Sequence, residues 1–373
     1  MRNKTFLLYL FLLISAIGYT QVYSDKIVGK KNVALLDSIK EQPYPYALPI
    51  WGEKATKKGF HLPYSAGVSV NYFWQKSDIL INNLEVGFND GTKVNLDQIV
   101  RFTDSYVTAS AINVRPDIWL FPFLNVYGIL GKANTSTNIS AGIWVPDTNN
   151  NWNKIYDFAT RAEFNATTFG IGFTPTIGIG GGWLALDMNV AWTDIESLDK
   201  PARTFVFGPR FGKTFKFNKP DQNIALWVGA FRVGLNSGTS GSLALKDVVS
   251  VDGAQAKVDQ AIVTVGEKQV QVDTWWDGLS GPEQANPINK AKYNRANQAL
   301  DKAGNLLTGI DGALSTVETS TVQYSLEKAP KDAWNFIVGS QYQYNRHIML
   351  RAEVGFLGSR TQFLTSLQYR FGL

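Results

Sequence analysis

Residues 360–373 alternate with a period of two, placing Phe363, Thr365, Leu367, Tyr369, Phe371 and Leu373 on one face and Gln362, Leu364, Ser366, Gln368, Arg370 and Gly372 on the other. This period excludes a helix and specifies a β-strand with one apolar side. An aromatic at nearly every second position, continuing to the last residues, fits a strand whose outer face meets lipid and whose inner face meets a polar lumen.

The rest of the chain agrees with a membrane barrel. Every apolar run after the first 20 residues is broken within about ten residues by Asn, Gly, Lys or Asp, short of the roughly 20 that a spanning helix needs. With backbone groups unable to go unpaired in lipid, a closed barrel is the remaining way to cross. Gly 33, Trp 11, Tyr 15 and Phe 22 are high counts for 373 residues. The mean hydropathy of −0.11 is that of a water-soluble protein, as expected when half of every strand faces polar space.

The final alternation resembles the closing strand of Gram-negative outer-membrane β-barrels, whose C-terminal aromatic signature is read by the barrel-assembly machinery. Tyr369, Phe371 and Leu373 carry that assembly signal here; the family usually ends on Phe, and this chain has Leu373 at the last position. The resemblance implies outer-membrane lipid and the assembly machinery as partners. A second, short-range resemblance rests on Gly52-Glu53-Lys54, on residues 59–64 (Gly-Phe-His-Leu-Pro-Tyr) and on the aromatic-flanked turn at 119–128. It is similar to a group of proteobacterial and Bacteroidota outer-membrane proteins without assigned function, covers about a tenth of the chain, and implies a barrel but no activity.

Alternation places strands at 68–74, 106–118, 168–179, 184–192, 204–217, 334–344, 346–357 and 360–373, with weaker ones at 124–144, 224–235, 242–248 and 322–327. The expectation is an all-β, antiparallel, up-and-down transmembrane barrel of about 12 strands, within a range of 10 to 14, occupying residues 64–373. Gly180-Gly181-Gly182 reads as a hairpin turn; no helical pattern follows it, so a phosphate-cradling loop is excluded.

Two regions do not read as wall. Arg2 and Lys4 precede an apolar run from Phe6 to Ile17, which reads as a Sec signal peptide over 1–20. Residues 21–63 then form a Pro- and Tyr-rich segment expected under the barrel or inside its lumen. The second is an insert at about 248–317, polar and β-prone in its first half, interrupted by Trp275-Trp276, and helical in its second half through Ile288, Ala296, Ala299, Ala303, Leu306 and Ile310. Strand parity puts this insert on the periplasmic side or in the bore if 242–248 is a wall strand, and makes it an extracellular cap if it is not.

Loss of Arg2 and Lys4 with the leader takes the net charge from +5 to +3, too little to imply nucleic acid. More informative are the charges that alternation aims inward: Arg115, Asp117, Asp187, Arg210, Arg351, Glu353 and Arg370. They are candidate lumen-lining charges, forming either a paired filling or the wall of a narrow aqueous path. Cysteine is absent and His61 and His347 are the only histidines, so no thiolate or paired-histidine metal site, no cofactor and no catalytic residue is expected.

The role most consistent with these residues is an outer-membrane channel or facilitator, narrow or gated, for a small-molecule solute. A non-conducting structural or partner-binding barrel is the alternative, and an outer-membrane lipid-modifying hydrolase a third. Adhesion would need long surface loops, for which residues 133–161 are the candidate.

Overall fold

The computed structural model describes residues 25, 26, 37, 41, 43–195, 200–217, 219, 221–236, 238–248 and 253–373. The leader read at 1–20 lies outside them, as does most of the stretch up to residue 42.

The strands, in chain order, are β1 (Asp25–Lys26), β2 (Phe60–His61), β3 (Ala66–Phe88), β4 (Val94–Asn95), β5 (Val100–Phe121), β6 (Leu124–Pro146), β7 (Trp152–Ile179), β8 (Gly182–Ile195), β9 (Ala202–Lys216), β10 (Asn223–Asn236), β11 (Gly238–Ala244), β12 (Thr321–Pro330), β13 (Trp334–Gln343), β14 (Ile348–Phe356) and β15 (Arg360–Phe371). The helices are α1 (Gly52–Lys57), α2 (Leu245–Val248), α3 (Ala254–Asp277), α4 (Gly281–Ala285) and α5 (Pro287–Leu314).

Ten strands close on themselves in the order β3, β15, β14, β13, β10, β9, β8, β7, β6, β5 and back to β3, every pair antiparallel. The expected count of about twelve therefore exceeds the wall by two. Strands β11 and β12 exist, but β12 pairs with residues 79–88 of β3, above the 66–78 stretch that joins β15 and β5. With the two-residue β4, they make three strands outside the ring. The strand expected at 242–248 stops at Ala244 and turns into α2.

The wall carries a continuous apolar belt. On β7 it runs from Phe169 through Ile171 and Phe173 to Ile179, all exposed, then gives way to Asn165, Glu163 and Arg161. Ten residue steps at about 3.3 Å, on strands tilted by roughly 40°, give a belt about 25 Å tall, the thickness of a barrel's lipid-facing band. Aromatic and basic side chains mark its two rims, with Lys76 over Tyr106 and Arg232 over Trp334 above, and Phe217 against Tyr342 below. Lys213 is exposed on the outer face and lies 5.7 Å from the Phe215 ring. No helix among the described residues is long and apolar enough to cross a membrane.

The two ends differ. Both ends of the barrel chain lie at the lower rim, where turns are short; Gly180 and Gly181, at φ 57° and 79°, make the two-residue turn that a twisted hairpin requires. The described part of the leading segment lies across this end, with Leu48 N–H donating to Leu373 O and Ile50 N–H to Leu120 O.

At the upper end, β3, β5, β6 and β7 rise beyond the other strands into a one-sided wing. There the apolar face changes sides. On β6 the outward residues Leu124, Val126 and Leu130 are even-numbered, whereas Ile139, Ala141, Ile143 and Val145 are odd and pack inward. On β3 a positive φ of 51° at Asn83 shifts the phase once more, so that Ile81 and Leu84 both reach the same core. Residues 133–161, the candidate adhesion loop, are the continuation of β6 and β7 around a short turn.

The insert sits on this wing, at the end opposite the chain ends. Its first half, expected to be β-prone, is the helix α3, because Val258, Ala261, Val265 and Val272 fall on one face at helical spacing and bury against α5 and the wing. Trp276 stacks on Tyr293 at 4.5 Å and locks the two helices together.

Candidate functional site

All seven inward charges do face the bore. They form two tiers. In the middle tier, Arg210 reaches Glu353 through Nε at 2.7 Å and through its second terminal nitrogen at 3.0 Å, and meets Asp187 at 3.3 Å. Strand β9 thus ties β14 to β8 through one guanidinium. Arg351 adds a 3.2 Å contact to Glu353, and the Trp227 indole donates to the same carboxylate at 2.9 Å. Asp187 accepts from the Tyr127 hydroxyl and from Thr174 at 3.0 Å, and Arg115 lies 3.7 Å from the Tyr127 ring centroid.

The lower tier is built around Asp117. Its carboxylate accepts from Gln368 at 2.7 Å and Asn125 at 2.7 Å and pairs with Arg370 at 3.1 Å, while Arg370 also donates to Tyr64 O at 3.1 Å. That last bond ties the bore to the segment lying under it.

Burial gives this arrangement its weight. Arg370 and Glu353 are 1% and 2% exposed, although both side chains point into what an open pore would fill with water. Buried charges of this kind persist only when paired and hydrogen-bonded. Geometry agrees, since eight strands leave room only for side chains and sixteen or more leave an aqueous channel, so a ten-stranded bore is near the filled limit. A cavity of about 100 Å³ lies among Ser69, Asn71, Arg115, Thr174, Met349 and Gln341. The two tiers hold four arginines and three carboxylates, with Arg115 over the Tyr127 ring, and Arg360, 3% exposed and donating to Ser77, adds a further inward guanidinium above them.

The seven charges were readable from alternation; the aromatics that seat them were not singled out. Trp183, Trp227 and Tyr127 face inward by the same parity, and each lies opposite a glycine, Gly212, Gly339 and Gly172 respectively, where a Cβ would collide with the ring. An inward aromatic opposite an inward glycine on the next strand is the signal that would have found them.

From the sequence, a conducting barrel is expected to keep the insert away from the bore, and a closed one to bury Trp275, Trp276 or the Ile288–Ile310 face inside it; on that criterion the observed arrangement is the conducting one. The insert is packed on the wing and the bore is filled by its own wall residues. Tyr369, Phe371 and Leu373 are exposed on the outer face. His347 bonds the Arg370 carbonyl through Nδ1 at 2.9 Å and is stacked between Tyr64 and Tyr369. His61 lies in β2. Among the described residues no three His, Cys, Asp or Glu side chains are grouped to hold a metal ion.

No family model matches this sequence, and no curated protein does. Among solved structures, the β-domain of the Bordetella autotransporter BrkA covers 82% of this chain and all of its own length at 8% identity and a TM-score of 0.33. The translocator domain of the autotransporter NalP from Neisseria meningitidis covers 92% and 94% at 9% identity and 0.31. The toluene transporter TbuX of Ralstonia pickettii covers 83% and 90% at 10% identity and 0.24. At such scores these outer-membrane barrels carry no argument about this chain, and the closed barrel rests on its own strand pairing.

Proposed function

We propose that this chain is an integral outer-membrane β-barrel whose bore is closed by paired charges and which carries a binding platform, the wing with its helical pair, on the cell surface. The observation that carries the reading is Arg210 on β9 bridging Asp187 on β8 and Glu353 on β14, three almost fully buried charges tied together inside the bore. The apolar belt supports the membrane, and the longer connections at the wing end support its surface placement, since barrels of this class keep short turns in the periplasm. Outer-membrane lipid and the assembly machinery remain the expected partners.

A gated path for a small solute is the second reading. It is favoured by the bore cavity and by the Arg115 guanidinium that lines it, which together suit a small anion once the Arg210 bridge opens. A lipid hydrolase is less favoured, because His347 is committed to a backbone carbonyl and two aromatic rings.

Orientation is tested with the chain's lack of cysteine. Gly266→Cys on α3, where nothing lies within 4 Å, should react with a membrane-impermeant maleimide on intact cells. Lys58→Cys should react only after permeabilisation; the reverse pattern overturns the assignment.

A further inference from the structure

The leading segment crosses the lower rim from the bore mouth to the outside of the barrel. On the mouth side the Tyr46 ring packs against Gly372 and Leu48 N–H donates to Leu373 O. Two residues on, Ile50 N–H donates to the carbonyl of Leu120, which has no partner in the β5–β6 ladder because a bulge lies between Trp119 and Phe121. A bulge re-aims the side chains that follow it. Trp119 pairs with Asn125, on the inward parity, whereas Phe121 pairs with the outward Leu124 and shares its face. The Trp51 ring sits 5.0 Å from Phe121 and 6.4 Å from Phe123, so it lies on the outer face with them.

Height identifies what covers this patch. Thr176 N–H donates to Phe123 O, and the apolar belt on β7 continues below Thr176 to Ile179. Ile50, Trp51 and Phe123, exposed by 43%, 53% and 39%, therefore stand at the lower edge of the belt, where lipid headgroups meet acyl chains. Trp51 is held at φ 71°, a left-handed conformation that a bulky residue keeps only where its surroundings fix it.

Charge follows directly. Lys54 and Lys57 on α1 and Lys58 at its end are all exposed, and against Glu53, which pairs with Lys57, they give this turn a net charge of +2. Apolar side chains at the acyl boundary beside a cationic helical turn make an interfacial anchor, and lysines near the surface draw anionic headgroups.

We propose that Ile50, Trp51 and α1 form an interfacial foot that binds anionic phospholipid in the leaflet at the chain-end rim, with Trp51 at the acyl boundary and Lys54, Lys57 and Lys58 at the headgroup phosphates. The proposal rests on reading the chain as a membrane barrel and is independent of bore closure and of which compartment the wing faces.

The experiment uses the full chain refolded into vesicles of phosphatidylcholine and phosphatidylglycerol in equal parts. Ile50→Cys, the sole cysteine of that variant, carries an environment-sensitive fluorophore. Nitroxide-labelled lipid should quench it and aqueous iodide should not. Quenching by trace nitroxide-labelled phosphatidylglycerol should exceed that by the phosphatidylcholine analogue about threefold at low salt. That ratio should fall toward one on adding Lys54→Gln, Lys57→Gln and Lys58→Gln, and should be unchanged by Lys290→Gln with Lys292→Gln, exposed on α5. Heat-modifiable mobility identifies the folded barrel in each variant, so loss of the foot and loss of the barrel reading are told apart. In the folded protein, quenching by iodide rather than by lipid, equal quenching by the two labelled lipids, or a ratio that survives the triple Gln variant would overturn the proposal.

Discussion

The indole of Trp227 fills the space into which any side chain at Gly339, its cross-strand partner, would project, and from there it donates to Glu353. The glycine makes room for the ring, and the ring places a donor on the buried carboxylate. Tyr127 opposite Gly172 does the same for Asp187, and Trp183 opposite Gly212 donates to Thr214.

Gly339→Ala should therefore displace Trp227 and break its bond to Glu353. Overpacking of this kind costs about 1–3 kcal/mol. Unfolding in urea, followed by the loss of heat-modifiable mobility, should show a lower midpoint. The control Gly312→Ala, which has nothing within 4 Å in the helix α5, should leave the barrel midpoint unchanged.

Arg210→Met leaves the buried carboxylates of Asp187 and Glu353 without the guanidinium that joins them. Removing one partner of a buried pair costs roughly 3–5 kcal/mol, largely through the charge left behind. The double variant Arg210→Met with Glu353→Gln should recover a substantial part of that loss, and a double-mutant cycle in urea measures the coupling. Additive losses would mean that the bridge contributes nothing of its own.

Lys328 gives the wing a pH dependence of definite sign. Its folded pKa is lowered by burial, so below that pKa folded and unfolded chains are both protonated and the full cost of burying the ammonium is present. As pH rises through the lowered pKa toward the ordinary value of 10.5, the folded state sheds its proton first and the cost is relieved. Wing stability should rise with pH across that window. Tyr156 and Tyr324 line the same apolar space as Lys328, so the slope to attribute to Lys328 is the part that Lys328→Met removes.

The outward aromatics at the chain end predict an assembly phenotype. Phe371→Asp with Tyr369→Asp replaces two of the outward aromatics at the lower rim of the belt with charges, where the direct cost of a carboxylate to the folded barrel is small. The fraction of heat-modifiable barrel recovered from membranes should fall severalfold, while Ser366→Ala, on the inward face of the same strand, tests whether position or mere alteration matters.

Much of this architecture was legible. Period-two alternation placed a strand at each of the ten wall positions and put the seven charges on the polar parity, because an apolar surrounding on one side and a polar interior on the other impose the pattern residue by residue. What it missed is the wing. On β6 the apolar residues switch from even to odd between Leu130 and Ile139, and on β7 from odd to even below Phe169. Each switch marks the height at which the apolar environment moves from outside the barrel to inside the wing. Read as a single strand, that reversal looks like lost amphipathicity, which is why residues 133–161 resembled a loop. The count of about twelve came out two above the ring, at the lower limit of the range of 10 to 14, for the same reason, since β11 and β12 alternate as wall strands do and only their partner on β3 reveals that they stand above the ring.

Single-channel recording in planar bilayers tests the central claim most directly. The refolded wild-type protein should be electrically silent, and Arg210→Ala with Glu353→Ala and Arg351→Ala should produce discrete conductance steps by emptying the middle tier. Steps of comparable size in the wild-type protein would contradict a bore closed by its own paired charges.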